Sequence, residues 1–175
     1  WINRELALAF RRRINLGVAG AATAILVISV AAVAISANQD SQHQFLLDNS
    51  YAKAVNAADA RTAGNDARSQ EALKLIARGA VSEDLWVAAA DRTSTKLNAV
   101  DDLSVRTPWQ QYVDGHTKIV TLDSAGNWDG AVREATRTGQ GSVTAAFDAF
   151  DKAARDLATT SFDEVTAKAG ARNGL

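Results

Sequence analysis

The sequence predicts an all-α protein in which an N-terminal transmembrane helix continues into an antiparallel, up-down four-helix bundle. Apolar residues make up 47% of the 175 residues, whereas aromatic residues make up only 6% and the chain contains one Pro. This composition favours close-packed helices over sheets. The third observation is a long apolar stretch that carries no charge between Arg13 and Asp40. It predicts that one helix lies in lipid.

The uncharged stretch is long enough to cross a bilayer. A helix over residues 14–35 would extend about 33 Å at 1.5 Å per residue, and we place the whole transmembrane helix at residues 14–37. Arginines are concentrated before this stretch, while Asp40 and Asp48 follow it. By the positive-inside bias, residues 1–13 form a cytoplasmic basic lead and residues 38–175 form an extracytoplasmic helical bundle at the cell membrane.

A cleaved signal peptide is the alternative interpretation of this stretch, because residues 32–34 (Ala-Val-Ala) resemble a cleavage site. The apolar run is longer than the core of a usual signal peptide, so we favour an uncleaved anchor. We also expect the native chain to continue past Leu175 into a second span, since an up-down bundle of four helices returns to the side on which it began.

Periodicity and capping residues place the helices outside the membrane. A first helix follows the anchor, with a bend at Gly64, and a second runs from Glu83 to about Asp101 with Leu85, Ala89, Leu97 and Val100 inward. Thr107 and Pro108 predict the start of the third helix, as a cap followed by Pro in the first turn.

Two further helices are predicted after the third. Residues 128–135 form a short helix, and Ser142 caps the last one. That last helix has apolar or small residues at three- and four-residue steps, the pattern of a bundle seam. The residues of this seam are Phe147, Phe150, Ala154, Leu157, Ser161 and Val165.

Composition excludes several kinds of chemistry. The absence of Cys excludes thiol catalysis, disulfides and Cys-ligated zinc, and two histidines, His43 and His116, cannot form a three-histidine zinc site. The carboxylates are expected on solvated helix faces rather than paired in a cleft. A formal charge of −1 gives no basic field for nucleic acid. We therefore predict no catalytic residues, no metal, no cofactor and no enzymatic activity.

Aromatic residues near helix ends are the candidate binding residues. Tryptophan at such positions either plugs the end of a bundle or anchors a partner surface. His116 is expected to be partly buried with one hydrogen bond, and Arg92 can clamp an anionic ligand. The predicted ligand- or partner-binding residues are Trp86, Arg92, Trp109, Tyr112, His116 and Trp128.

The order of segments resembles the four-helix-bundle extracytoplasmic sensor domains of bacterial membrane receptors. A narrower pattern occurs at residues 122–132 (Leu-Asp, then Gly-Asn-Trp-Asp-Gly-Ala-Val), at Thr138-Gly139 and at residues 145–151. This pattern is similar to the actinobacterial transmembrane proteins that link a glutamate/glutamine-binding lipoprotein to protein kinase G. The resemblance implies amino-acid sensing with a solute-binding lipoprotein as partner, and it implies a homodimer.

Two functions remain open from the sequence. The first is a non-enzymatic sensor whose outer bundle binds a small ligand or a ligand-loaded binding protein and relays that state across the bilayer. The second is an accessory structural subunit of a larger membrane complex. Both need the lipid bilayer and a protein partner, and neither involves nucleic acid.

Overall fold

The structure, a computed structural model, describes residues 47–78 and 81–172, and every regular element within these ranges is helical. The prediction of an all-α chain is thereby confirmed. A π-helical turn over Leu47–Tyr51 leads directly into the first α-helix. The α-helices are α1 (Ala52–Ile76), α2 (Asp84–Val100), α3 (Leu103–Ser124), α4 (Trp128–Thr136) and α5 (Val143–Arg172).

The predicted anchor at residues 14–37, the basic lead and His43 lie outside the described residues. Among the helices that are described, none combines the length and the apolar character that a membrane crossing requires.

Side-chain pairs show that successive long helices run in opposite directions. Lys96 Nζ of α2 lies 2.8 Å from Asp59 of α1, and Arg92 lies 3.6 Å from Asp66, so residue numbers fall along α2 as they rise along α1. Helix α5 packs against both α1 and α3, and the short α4 packs mainly on α3. The prediction of four helices that alternate in direction is correct for α1, α2, α3 and α5. The short α4 is an additional, fifth helix.

A glycine brings α1 close to the aromatic core. A Cβ atom at Gly64 would lie only 2.4 Å from Cε1 of Phe150 and 3.4 Å from a ring carbon of Trp109. The face of α1 around it consists of alanines, among them the fully buried Ala60 and Ala67. Helix α1 runs through Gly64 without interruption, and the glycine allows close packing there.

The third helix begins earlier than predicted. Asp102 is its N-cap, and the Ser104 backbone N–H donates to the Asp102 carboxylate at 3.0 Å. The start predicted at Thr107 and Pro108 is therefore wrong, because a better acceptor lies five residues upstream and Pro108 is accommodated inside the helix. Hydrogen bonds from the Ser104 hydroxyl and backbone, followed by the contact with Lys53, hold the pKa of Asp102 below its ordinary value.

The predicted bounds of the other helices are close to those observed, with one change of face. Ala89, Leu97 and Val100 of α2 are buried as predicted, but Leu85 is 55% exposed and Trp86 points inward in its place. Ser142 caps α5, accepting from the Ala145 N–H at 3.0 Å. The predicted seam of α5 is largely confirmed, with Phe147, Phe150, Ala154 and Ser161 buried.

Candidate functional site

His116 lies in the interior of the bundle between two carboxylates. Its Nδ1 is 2.7 Å from Oε2 of Glu71, on α1, and its Nε2 is 2.6 Å from Oε1 of Glu83, directly before α2. Only 3% of the His116 surface is exposed. The prediction of partial burial with one hydrogen bond is therefore wrong, because both ring nitrogens are engaged and the ring is inside.

Glu71 is a buried carboxylate on the alanine face of α1. It is 3% exposed, and it pairs with Arg68 one turn earlier as well as with His116. Arg68 also donates to the carbonyl oxygen of Ala135 at 3.1 Å and to the Thr144 hydroxyl at 3.2 Å. Because a buried charge is costly unless it is paired and hydrogen-bonded, this arrangement is what allows a carboxylate at that position.

Glu83 occupies the other side of the His116 ring and is closer to water. Its side chain is 29% exposed and forms an ion pair with Lys74 of α1. Burial raises the pKa of Glu83, but hydrogen bonds from Lys74 and His116 outweigh that effect and hold the pKa below its ordinary value. Glu83 is therefore the acid of this group that solvent can reach.

Aromatic rings cover the His116 imidazole. The Trp86 ring stacks on it with centroids 3.6 Å apart and planes 7° from parallel. The Trp86 N–H donates to the Tyr112 hydroxyl at 3.3 Å. Burial, followed by the nearby charge of Glu71, raises the pKa of the Tyr112 phenol well above its ordinary value. Three of the predicted binding residues are thus brought together, in the interior.

We call Arg68, Glu71, Lys74, Glu83 and His116 the charged layer. Both nitrogens of the imidazole already contact carboxylates, so neither is free to accept a proton from a substrate or to bind a metal. No group of three or more side chains in the described part of the chain has an arrangement that would hold a metal ion. What the charged layer does is join α1, α3 and the start of α2.

The remaining predicted site residues lie apart from the charged layer. Trp109 is buried and donates to the Ser94 hydroxyl at 3.1 Å. Trp128 is half-buried and donates to the Leu75 carbonyl at 2.8 Å, under the guanidinium of Arg78 at 4.3 Å. Trp128 therefore satisfies a backbone carbonyl in the last turn of α1. Arg92 is exposed and paired only loosely with Asp66.

Exposed apolar side chains mark the end of the bundle at which α1 stops and α2 starts. Leu73 and Ile76 of α1 are 51% and 77% exposed, and Leu85 of α2 is 55% exposed. Leu73 lies seven residues after Asp66 and Leu85 lies seven residues before Arg92, so the pair between Asp66 and Arg92 sets the two leucines opposite each other. We call Leu73, Ile76 and Leu85 the apolar tip.

A polar groove continues from the apolar tip along the same side of the α1–α2 pair. It has a volume of about 440 Å³. Charges of both signs line it, with Lys96 paired to Asp59 and Arg92 paired to Asp66. The lining residues are Asp59, Thr62, Ala63, Asp66, Asp91, Arg92, Thr95 and Lys96.

Sequence reasoning missed the two glutamates that surround His116 and the apolar tip. One available signal was Glu71 itself, which continues the run of Ala60, Gly64 and Ala67 at helical spacing on α1. Comparison of the chain with protein-family models, with curated proteins and with solved structures gives no match.

Proposed function

We propose that the chain is a membrane-anchored, non-enzymatic signal transducer whose outer bundle receives a ligand-loaded binding protein at the apolar tip. The apolar tip is the observation that carries this proposal. Large apolar side chains that stand exposed together are typical of protein contact sites. The turn over Leu47–Tyr51 and α1 together extend about 45 Å at 1.5 Å per residue. The tip therefore lies at the end of the bundle opposite to Leu47.

The size and surroundings of the tip favour a different protein over a second copy. A stable dimer interface buries about 800 Å² on each partner, far more than three side chains provide, whereas a few apolar anchors are typical of the centre of a transient contact. Asp84 and Asp91 are exposed on α2, one residue before and six residues after Leu85. The expected partner surface is an apolar pocket with basic side chains at its rim.

Site-specific photo-crosslinking in cells tests this contact. A photoreactive residue in place of Leu73 or Leu85 is expected to form an adduct with a solute-binding lipoprotein, and the yield is expected to depend on the amino acid supplied. Leu103 is the matched control, since it is 73% exposed and begins α3 at the other end of the bundle.

The outcomes separate the possible functions. If the tip forms adducts only with integral membrane subunits, the result would contradict the signal-transducer function. It would favour the function of an accessory structural subunit. Equal adducts from Leu103 and from the tip, or adducts only between two copies of the chain, would contradict the proposed docking surface.

The predicted anchor is tested by cysteine labelling, for which a chain without native Cys is well suited. A membrane-impermeant maleimide added to intact cells is expected to label a Ser124→Cys variant and to spare an Ala7→Cys variant until the membrane is permeabilised. Labelling of both variants in intact cells would contradict the proposed topology.

The polar groove favours a second candidate function, direct binding of a small zwitterion such as an amino acid. Its lining offers cations for a carboxylate and carboxylates for an ammonium group. The existing ion pairs are half-exposed and are worth less than about 1 kcal/mol each, so a ligand can displace them. Calorimetric titration of glutamate and glutamine would show saturable heat that Arg92→Gln removes and Leu73→Ser leaves intact. A flat titration would exclude this candidate.

A further inference from the structure

We propose that the charged layer is a proton-dependent latch that fastens the start of α2 to α3 and releases it when a single shared proton is lost. The inference goes beyond the proposed function, since it needs neither a membrane nor a partner. It gives a role to the buried His116 imidazole, which the proposed binding function does not use.

The geometry of the three side chains requires one proton more than a neutral imidazole and two ionised carboxylates hold together. Both contacts to His116 are short, at 2.7 Å and 2.6 Å, and each requires a hydrogen between nitrogen and oxygen. A neutral imidazole carries only one N–H, and an ionised carboxylate carries none. One proton beyond those of a neutral ring and two carboxylates must therefore be shared among Glu71, His116 and Glu83.

The surrounding groups enclose the three side chains, and none of them supplies the hydrogen that the second contact of the ring requires. From α1, Arg68 contacts Glu71 and Lys74 contacts Glu83. From α2 comes the Trp86 ring, and from α3 itself Tyr112, whose ring centroid is 6.5 Å from that of His116. From α5, Phe147 packs on Tyr112 and lies under Arg68. Loss of the proton leaves one carboxylate oxygen facing a ring-nitrogen lone pair inside this enclosure.

The two carboxylates differ in their freedom to move, which fixes where the latch opens. Glu71 is 3% exposed and stays against the ring, whereas Glu83 is 29% exposed and can turn toward water while keeping Lys74. The Glu83 contact therefore breaks first. Because Lys74 belongs to α1, the start of α2 then remains attached to α1, and only Trp86 still holds it to α3.

The sign of the pH dependence follows from proton uptake. The closed layer holds one more proton than its open form, so raising the pH favours the open form. On the acid side, protonation of Glu83 removes its charge-assisted contacts, and its lowered pKa moves that loss to more acidic solution. The latch is closed at intermediate pH and opens on the alkaline side.

Nuclear magnetic resonance on the full chain with His43→Gln tests the proposal, because His116 is then the only histidine. The imidazole resonances report whether both ring nitrogens keep their contacts with Glu71 and Glu83 as the pH is raised. Hydrogen exchange at the first turn of α2, residues 84–87, is expected to rise at least several-fold as the pH is raised, after correction for intrinsic exchange. The reporter in this turn is the Val87 N–H, which donates to the Glu83 carbonyl at 3.0 Å. Exchange in the middle of α3 is expected to stay constant.

Two variants remove the latch in different ways. His116→Gln replaces the ring by an amide that cannot take up the shared proton, and it is expected to make exchange at residues 84–87 fast at every pH. Glu83→Gln can donate its amide N–H to a neutral ring and therefore needs no shared proton, so it is expected to fold and to give a profile that does not change with pH. Asp84→Asn is the matched control, since it changes one charge at the neighbouring position and is expected to keep the wild-type curve.

Exchange at residues 84–87 that is independent of pH in the wild-type chain would overturn the proposal. A pH dependence that survives in Glu83→Gln would overturn it as well. Should His116→Gln fail to fold, the comparison of Glu83→Gln with Asp84→Asn decides the question alone.

Discussion

The core of the bundle has two parts that are built by different physical means. In the middle, Gly64 allows Phe150 and Trp109 to pack directly on α1, and the contacts are apolar. Nearer the apolar tip, the same face of α1 carries Glu71, and the charged layer lies among the apolar side chains of the core. Apolar packing tolerates changes of pH, whereas a buried set of charges holds only while every partner keeps its proton state. The region beneath the tip is therefore the conditional part of the fold.

Removing one partner from the charged layer is expected to have the largest effect. His116→Leu leaves the buried Glu71 carboxylate with Arg68 alone and is expected to lower the free energy of unfolding by about 3–5 kcal/mol. The double variant Glu71→Leu, His116→Leu removes the buried charge together with its partner and is expected to recover most of that loss. Chemical denaturation followed by circular dichroism measures both. If the double variant is less stable than His116→Leu, the region around Glu71 does not depend on paired buried charges in the way described.

A change at the close approach in the middle of the core is expected to have an intermediate effect. Gly64→Ala forces a methyl group against the enclosed Phe150 ring and is expected to cost about 1–3 kcal/mol, although alanine is the better helix former by about 1 kcal/mol. Gly170→Ala is the control on α5, because a Cβ there meets nothing within 4 Å. That variant is expected to be neutral or slightly stabilising. Equal stability changes in the two variants would refute the packing role of Gly64.

The smallest effect is expected from acid titration of Glu83. A lowered pKa means that the ionised form stabilises the fold at neutral pH and that this contribution is lost as the pH falls through the folded-state value. The difference in unfolding free energy between the wild-type chain and Glu83→Gln is therefore expected to shrink on acidification. Urea denaturation at a series of pH values measures it. A difference that stays constant down to strongly acidic solution would show that Glu83 contributes no ionised contact.

The helices themselves were predictable because their signals are local. The seam of α5 repeats every three or four residues, and Ser142 precedes it with a capping side chain. Prediction of the α3 start was wrong because two capping signals, Asp102 and Thr107, lie five residues apart and only the contacts with the rest of the bundle choose between them. Leu85 and Trp86 are adjacent, and one residue of helix rotation decides which of them is buried.

The charged layer was beyond sequence reasoning for a different reason. His116 is 45 residues from Glu71 and 33 residues from Glu83 in the sequence, so no spacing rule connects them. A lone glutamate in a helix ordinarily indicates a solvated face. Only the stripe of small residues before Glu71 on α1 distinguishes it, and alanine stripes give a weak hydrophobic signal.

The ion pair between Asp66 and Arg92 and the two leucines of the apolar tip are seven residues apart on both α1 and α2. This shared spacing restricts how the two helices can slide along each other. A slide of one helical turn, about 5.4 Å, would carry Arg92 away from Asp66 and opposite Thr62 or Ser69, neither of which is charged. The same slide would part Leu73 from Leu85. Both ion pairs and the placement of Leu73 opposite Leu85 are therefore satisfied together in only one register of α1 against α2 along their axes.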